Sequence, residues 1–267
     1  MEFTVVLVGA GNMGGAMLRG WLSGGLKPSN LAVIDPLPSK EMADYLQEHS
    51  VSVFADAGSV TPPDVLILAV KPQMMAAVLP GLKQVVGPET VAVSVAAGTT
   101  ISTISESLEH VGVVRSMPNT PSLVGRGITV ACPGAGVTPV HRENVSKLLK
   151  ATGKLEWVED EALMDAVTAV SGSGPAYVFF LAECMARAGI EAGLPEKLAA
   201  TLARETVAGA GELLYLADEA PAILRENVTS PGGTTAAALE VLMEPGAISE
   251  IVQKAVLAAK KRSQELS

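Results

Sequence analysis

An α/β chain in two parts is what the sequence predicts: a doubly wound parallel sheet over residues 1–158, then an all-helical domain over residues 159–267. Three observations carry that prediction. In the first half, short β-branched runs alternate with helical stretches, the pattern of parallel strands joined by helices that cover both faces of a sheet. The first run ends in a glycine-rich turn, Gly9-Ala10-Gly11-Asn12-Met13-Gly14, which opens a helix. Beyond Glu159 the β-branched runs stop and long stretches of Ala, Leu and Glu replace them.

In chain order, residues 4–8, 31–35, 51–54, 65–70, 91–95 and 111–115 read as strands by length and composition. Pro72, Pro80 and Pro88 punctuate the connections after the fourth. Residues 128–131 and 155–158 read as further strands around a helix at 141–151. The first half is thus a Rossmann-type doubly wound sheet. In the second half, residues 161–170, 176–192, 196–217 and 247–261 read as helices. They carry many small residues, as in Ala208-Gly209-Ala210-Gly211, so bulky core side chains are scarce and a second subunit is expected to supply the rest. No internal repeat or low-complexity linker interrupts the chain, so the boundary near residue 159 is expected to be tight.

Composition excludes several functions. A net charge of −9 and a pI near 4.9 repel a polyphosphate backbone, which excludes general nucleic-acid binding. The chain is 48% hydrophobic but only 3% aromatic, so its core is built of Ala, Val, Leu and Met. Charged residues interrupt every apolar run before it reaches the roughly 18 residues of a membrane span, and Met1 leads into a strand without a basic leader. The expectation is a soluble, cytoplasmic protein. Cys132 and Cys184 lack any metal-ligand spacing and are expected to be buried free thiols, with no metal site and no disulfide. His49, His110 and His141 are scattered, and none is assigned to catalysis.

The glycine-rich turn has the strand–turn–helix context of a dinucleotide fingerprint. Gly9 makes the tight turn, Gly11 admits a pyrophosphate to the backbone, and Gly14 allows helix and strand to pack closely. Asp35, 21 residues after Gly14, ends the second strand where an acid accepts bonds from a ribose hydroxyl. The phosphate preference stays open: Asp35 favours NADH, whereas Ser39 and Lys40 are placed to hold a 2′-phosphate if their loop folds back. Three further segments fall at the carboxyl edge of the sheet: Ala69-Val70-Lys71-Pro72-Gln73, Ala96-Ala97-Gly98-Thr99 and Arg115-Ser116-Met117-Pro118-Asn119-Thr120-Pro121. Each alone reads equally as a ligand-binding segment or as a mere strand end or rigid loop; three at one edge favour a ligand.

In the helical half, Ser171-Gly172-Ser173-Gly174-Pro175-Ala176-Tyr177 and Thr229-Ser230-Pro231-Gly232-Gly233-Thr234-Thr235 read as helix starts. In the second, Ser230 is expected as N-cap and Pro231 as first helical residue, leaving the following amides without intrahelical partners. Gly232 and Gly233 strip away side-chain cover, and Thr234 and Thr235 add hydroxyls, which suits the carboxylate of a small anionic substrate.

Four segments occur together and in order: Ala69-Val70-Lys71-Pro72, Met117-Pro118-Asn119-Thr120-Pro121, Ser171-Gly172-Ser173-Gly174-Pro175-Ala176-Tyr177 and Ser230-Pro231-Gly232-Gly233-Thr234-Thr235. In this the chain resembles the pyrroline-5-carboxylate reductases over nearly its whole length. The resemblance implies reduction of 1-pyrroline-5-carboxylate to L-proline, the last step of proline biosynthesis, with NADPH or NADH. By matching positions, it places Gly11, Asn12 and Met13 at the pyrophosphate, Lys71 and Ala97 along the ribose side, and Met117, Pro118 and Asn119 at the nicotinamide, with Ala69, Val70, Pro72 and Gly98 also expected to bind the cofactor. It gives Ser230, Gly232, Gly233 and Thr234 to the substrate carboxylate and Thr235 to the ring nitrogen. It further implies homodimers with interleaved helical domains, which in many members assemble into decamers. The chain departs from the family at two positions: Asp56 replaces a common Asn after the third strand, and Asp218 replaces a Glu near the substrate amine. Asp56 joins Asp35 in disfavouring a phosphate.

A cyclic imine needs only a proton on nitrogen to accept hydride, so the protein must mainly align the reactants and exclude water. That accounts for the missing His/Asp pair. The β-hydroxyacid dehydrogenases share the two-part plan but use a lysine on the linking helix; here Pro175-Ala176-Tyr177-Val178-Phe179-Phe180 follows Gly174, with no lysine before Lys197. A nucleotide sensor without turnover is the other rival, and it leaves the segment from Ser230 to Thr235 without a purpose.

Overall fold

The computed structural model describes residues 1–109 and 111–266. Among these, eight strands form one sheet: β1 (Val5–Val8), β2 (Leu31–Ile34), β3 (Ser52–Phe54), β4 (Val65–Leu68), β5 (Val91–Ser94), β6 (Gly112–Met117), β7 (Gly127–Pro133) and β8 (Gly153–Trp157). Their order is β3-β2-β1-β4-β5-β6-β7-β8. The first six run parallel; β7 lies antiparallel to β6, and β8 parallel to β7. The chain therefore turns back between β1 and β4, opening a crevice outside their carboxyl ends.

Full burial of β1, β4 and β5 explains their unbroken apolar runs, since helices cover both faces. Alternate residues enter two separate cores. Val5 and Leu7 join Trp21, Leu46 and Leu148 from α1 (Asn12–Ser23), α2 (Lys40–Glu48) and α5 (Pro139–Leu149) on one face. Val6 and Val8 join Leu79 and Ile104 from α3 (Met75–Leu82) and α4 (Ile101–Leu108) on the other. Trp21 is fully buried, and its indole N–H donates to the Leu148 carbonyl at 2.9 Å, which pins α1 to the end of α5.

The chain separates into two compact units, residues 1–172 with 259–266, and residues 173–258. This differs from the boundary expected at residue 159. Residues 159–172 stay with the sheet because Met164 packs on Val130 and Cys132, and Glu161 pairs with the buried Arg115 at 2.9 Å. The helix expected over 161–170 is accordingly broken: a 3-10 turn (Glu161–Leu163), α6 (Met164–Val167) and a π-helical turn (Thr168–Gly172) follow one another. The second unit holds α7 (Gly174–Glu191), α8 (Glu196–Leu216), α9 (Pro221–Asn227), α10 (Thr234–Leu242) and most of α11 (Ile248–Glu265). Its buried residues are Ala199 and Ala203, whereas Phe179, Phe180, Leu213, Leu216, Val241 and Ile251 are exposed.

His141 completes a capping box at the start of α5, and His49 bonds the Tyr45 carbonyl at 3.0 Å at the end of α2; His110 lies outside the described residues. Cys132 is buried on β7, where desolvation first and the Glu161 charge second push its thiol pKa up. Cys184 on α7 is half-exposed rather than buried, because the helical unit encloses so little core. No helix among the described residues is long and apolar enough to cross a membrane.

Trp21→Ala removes both the largest buried side chain and the partner of the Leu148 carbonyl. Urea unfolding is expected to show a loss of about 3–5 kcal/mol.

Candidate functional site

The glycine-rich turn is shaped by contacts that leave no room for side chains. Gly9 has φ +89°, and a Cβ on it would come within 3.0 Å of the Ala69 carbonyl. A Cβ on Gly14 would overlap the Gly9 carbonyl oxygen and approach Ala69 Cβ to 3.2 Å, so glycine alone lets α1 sit this close to β1 and β4. Gly11 is different. Nothing lies within 4 Å of where its Cβ would be, so its bareness serves no internal packing. Gly11 is also the N-cap of α1, no side chain caps that helix, and the amides of Asn12 and Met13 start it. An uncapped helix start behind an open glycine suits a pyrophosphate.

On one side of this turn lies a cleft of about 580 Å³, lined by Gly9, Gly11, Asp35, Asp56, Ala69, Val70, Lys71 and Met74 among others. A second cleft of about 420 Å³ adjoins it across Gly11 and Asp35 and is lined by Arg19, Ser39, Glu41 and Leu123. Asp35 is anchored between them: its Oδ2 accepts the Ala10 N–H at 2.8 Å and its Oδ1 the Leu37 N–H at 3.0 Å. Asp56 is exposed, with Oδ1 accepting the Gly58 N–H at 2.8 Å. Ser39 lines the smaller cleft, where its hydroxyl caps α2 by accepting the Met42 N–H at 3.2 Å, and Lys40 begins that helix. Arg19 pairs with Glu41 at 2.9 Å and stacks on the Tyr45 ring at 4.0 Å.

The structure brings Gly9, Gly11, Asp35, Asp56, Ala69, Val70 and Lys71 to one cleft, and Asn12 to the adjoining one. Met13 and Gly14 lie in the first turn of α1, and Pro72 starts the 3-10 turn (Pro72–Met74) after Lys71. Ala97 and Gly98 follow β5, and Met117, Pro118 and Asn119 end β6 and its loop, all at the carboxyl edge of the parallel strands. Asn119 is occupied internally: its Oδ1 accepts the Ile128 N–H at 3.0 Å and its Nδ2 donates to the Ser171 carbonyl at 3.2 Å. Gly172 leaves space for the Met117 methyl group. The segment from Ser171 to Gly174 is thus a π-turn running into α7, braced on the loop after β6.

The segment from Thr229 to Thr235, expected to hold a substrate, lies in the helical unit and differs from the expected helix start. Ser230 is not an N-cap, and Pro231 is not the first helical residue. The Gly233 N–H donates to the Ser230 carbonyl at 3.0 Å, and Gly232 has φ +68°, so Ser230, Pro231, Gly232 and Gly233 form a turn with proline second and glycine third. α10 begins at Thr234 with Gly233 as N-cap and no side-chain cap. The glycine pair has a local cause: Gly232 needs positive φ, and a Cβ on Gly233 would come 3.1 Å from the Ser230 carbonyl oxygen. Ser230 is exposed, Thr235 half-buried, and Asp218 exposed in the connection between α8 and α9. Among the described residues no three His, Cys, Asp or Glu side chains cluster as metal ligands.

A six-stranded parallel core with this turn, uncapped helix and cleft defines the class of dinucleotide-binding α/β proteins. Comparison with known proteins is more specific. Residues 161–266 match the family described as pyrroline-5-carboxylate reductase dimerisation, and residues 4–98 the family described as NADP oxidoreductase, coenzyme F420-dependent. The chain is 38% identical over 267 residues to a pyrroline-5-carboxylate reductase of Arabidopsis thaliana, covering 100% of this chain and 96% of the relative. It is 40% identical to one of Mycobacterium tuberculosis, covering 98% and 96%. The solved structure of a pyrroline-5-carboxylate reductase from Coxiella burnetii matches with a TM-score of 0.92 at 32% identity, over 100% and 99% of the two chains. That of Plasmodium falciparum pyrroline carboxylate reductase with NADP bound matches with a TM-score of 0.83 at 28% identity, over 99% and 98%. A 3-hydroxyisobutyrate dehydrogenase from Salmonella typhimurium shares the fold alone, at 18% identity and a TM-score of 0.53. The chain belongs to the pyrroline-5-carboxylate reductase family, a family of nicotinamide-dependent oxidoreductases.

Gly14→Ala is expected to lower Tm by about 4 °C or more through the clash with Gly9, while Gly11→Ala leaves Tm within about 2 °C. Differential scanning calorimetry of the two variants checks the contrast.

Proposed function

We propose that this chain reduces the C=N bond of 1-pyrroline-5-carboxylate to L-proline, the last step of proline biosynthesis. The observation that carries the reading is the match of the whole chain, at 38% and 40% identity, to relatives named for that reaction. When bound, the nicotinamide dinucleotide supplies the hydride. The chain's own residues bind, orient and exclude water. Gly11, Asn12 and Met13 offer the start of α1 to the pyrophosphate, Lys71 and Ala97 line the ribose side, and Met117 and Pro118 face the nicotinamide. Asn119 acts by holding the loop after β6 rather than by reaching the cofactor, since both ends of its amide are engaged.

On the substrate side, the turn at Ser230 aims the uncapped first amides of α10 at a carboxylate. Thr235 lies in that first turn, and its hydroxyl orients the ring nitrogen of the protonated imine. Asp218, exposed beside this unit's α8, offers a carboxylate to the same nitrogen.

For the cofactor we infer a preference for NADH. The charged side chains lining the larger cleft are Asp35, Asp56 and Lys71, two carboxylates against one ammonium. In the adjoining cleft Ser39 caps α2 and Arg19 is paired with Glu41, which adds a further carboxylate to the lining. The exposed apolar residues of α7, α8, α10 and α11 fit an interleaved homodimer, and a decamer is the further assembly to be tested.

Absorbance at 340 nm with pyrroline-5-carboxylate is expected to fall faster with NADH than with NADPH; no oxidation of either overturns the proposed reaction. Asp35→Ser is expected to shift the ratio of kcat/KM values toward NADPH by about tenfold. Thr235→Ala is expected to lower kcat/KM for the imine by about 10- to 100-fold while the Kd for NADH stays unchanged. Light scattering on the purified protein is expected to give twice the 27.4 kDa chain mass or a multiple of it, and a monomer overturns the assembly proposal.

A further inference from the structure

The loop after β5, Ala96-Ala97-Gly98-Thr99-Thr100, is held by residues far away in sequence. Its exit into α4 is fixed by Glu161, whose Oε1 accepts the Ile101 N–H at 2.9 Å and an Arg115 guanidinium N–H at 2.9 Å. Arg115 is 5% exposed on β6, and its other terminal nitrogen lies 3.8 Å from Asp165 Oδ1. That carboxylate oxygen accepts the Ser263 hydroxyl proton at 2.7 Å, from the buried side of the last turns of α11. Three residues further on, the Leu266 backbone carbonyl rests on Gly98, where φ is +74° and a Cβ would come within 2.9 Å of that oxygen.

The loop is thus gripped from two sides, by Glu161 at its end and by Leu266 at its middle. Both grips lead back to Arg115 and Asp165. The Ser263–Asp165 bond spans 98 residues and closes the stretch of chain on which the helical unit is inserted. A buried guanidinium and a carboxylate without enough partners are costly, so Asp165 is held in place by satisfying both Arg115 and Ser263. Removing the hydroxyl frees the last turns of α11 to lift from Gly98, and the loop loses one of its two supports.

We propose that Ser263 is a positioning residue for dinucleotide binding: through Asp165 it seats the last turns of α11 against Gly98 and so sets the shape of the loop after β5. The proposal rests on the reading of Ala97 and Gly98 as part of the dinucleotide site. It assigns to the final helix a part in cofactor affinity, separate from any role in self-association.

The full-length protein with Ser263→Ala and Ser263→Thr tests it by two measurements. In ligand-free protein, amide hydrogen exchange at residues 97–101 is expected to speed up in Ser263→Ala and to remain at the wild-type rate in Ser263→Thr. The Kd for NADH, from fluorescence titration, is expected to rise about three- to tenfold in Ser263→Ala, the scale of one buried hydrogen bond, and to return in Ser263→Thr. The KM for pyrroline-5-carboxylate and kcat are expected to stay within about twofold. Unchanged exchange in Ser263→Ala, faster exchange with an unchanged Kd, or equal loss of affinity in both variants overturns the proposal. Wild-type protein that binds neither NADH nor NADPH sinks the dinucleotide reading instead, and the exchange rates still decide whether Ser263 holds the loop.

Discussion

Gly14 has no space for even one side-chain carbon, because the Gly9 carbonyl oxygen and Ala69 occupy it, and this close approach sets where α1 lies over β1 and β4. Much follows from that. With α1 so placed, Trp21 reaches the core beneath it and the Leu148 carbonyl at the end of α5. The uncapped start of the same helix then stands over the crevice between β1 and β4, where the chain reverses direction. A single steric constraint thus couples the packing of one layer to the placing of an uncapped helix start over the crevice. The Asp35 carboxylate fastens the turn from the other side by taking the Ala10 N–H.

The two units solve different problems. The sheet buries large aliphatic side chains on both faces and stands on its own core. The helical unit fully buries only alanines and leaves Phe179, Phe180 and most of its leucines in the open, which is the surface of a protein whose core is completed by association. Its family match to a dimerisation domain has that physical basis. The Ser230 turn belongs to this unit, so a rigid local device, proline followed by a positive-φ glycine, presents α10 without help from a deep core.

The positions of the strands along the chain, the glycine-rich turn and the change to an all-helical half were legible because each rests on local chemistry. Aliphatic runs such as Val65 to Leu68 and the spacing Gly9, Gly11, Gly14 state their own requirements. The start of α10 was misread for a related reason. Ser-Pro is a good helix opening, but Pro-Gly is also a type II turn, and the competition is decided by where the Ser230 carbonyl finds its donor. Residues 161–170 carry helical composition, yet Arg115 on a strand far earlier pulls Glu161 and Asp165 toward it, and the helix breaks into shorter turns. The bridge that Asn119 makes between β7 and the π-turn had no local signal at all.

By itself the sequence determined the fold class, the dinucleotide turn and the family, since these depend on periodicity, on glycine's freedom from a Cβ and on contiguous motifs. Tertiary structure alone decided where the first unit ends, that Ser39 caps α2, and that Arg115, Asp165 and Ser263 meet. The reason is physical: a buried charge or hydroxyl takes whichever partner the packed chain brings within about 3 Å, and that partner stands 98 residues away for Ser263 and 46 for Arg115.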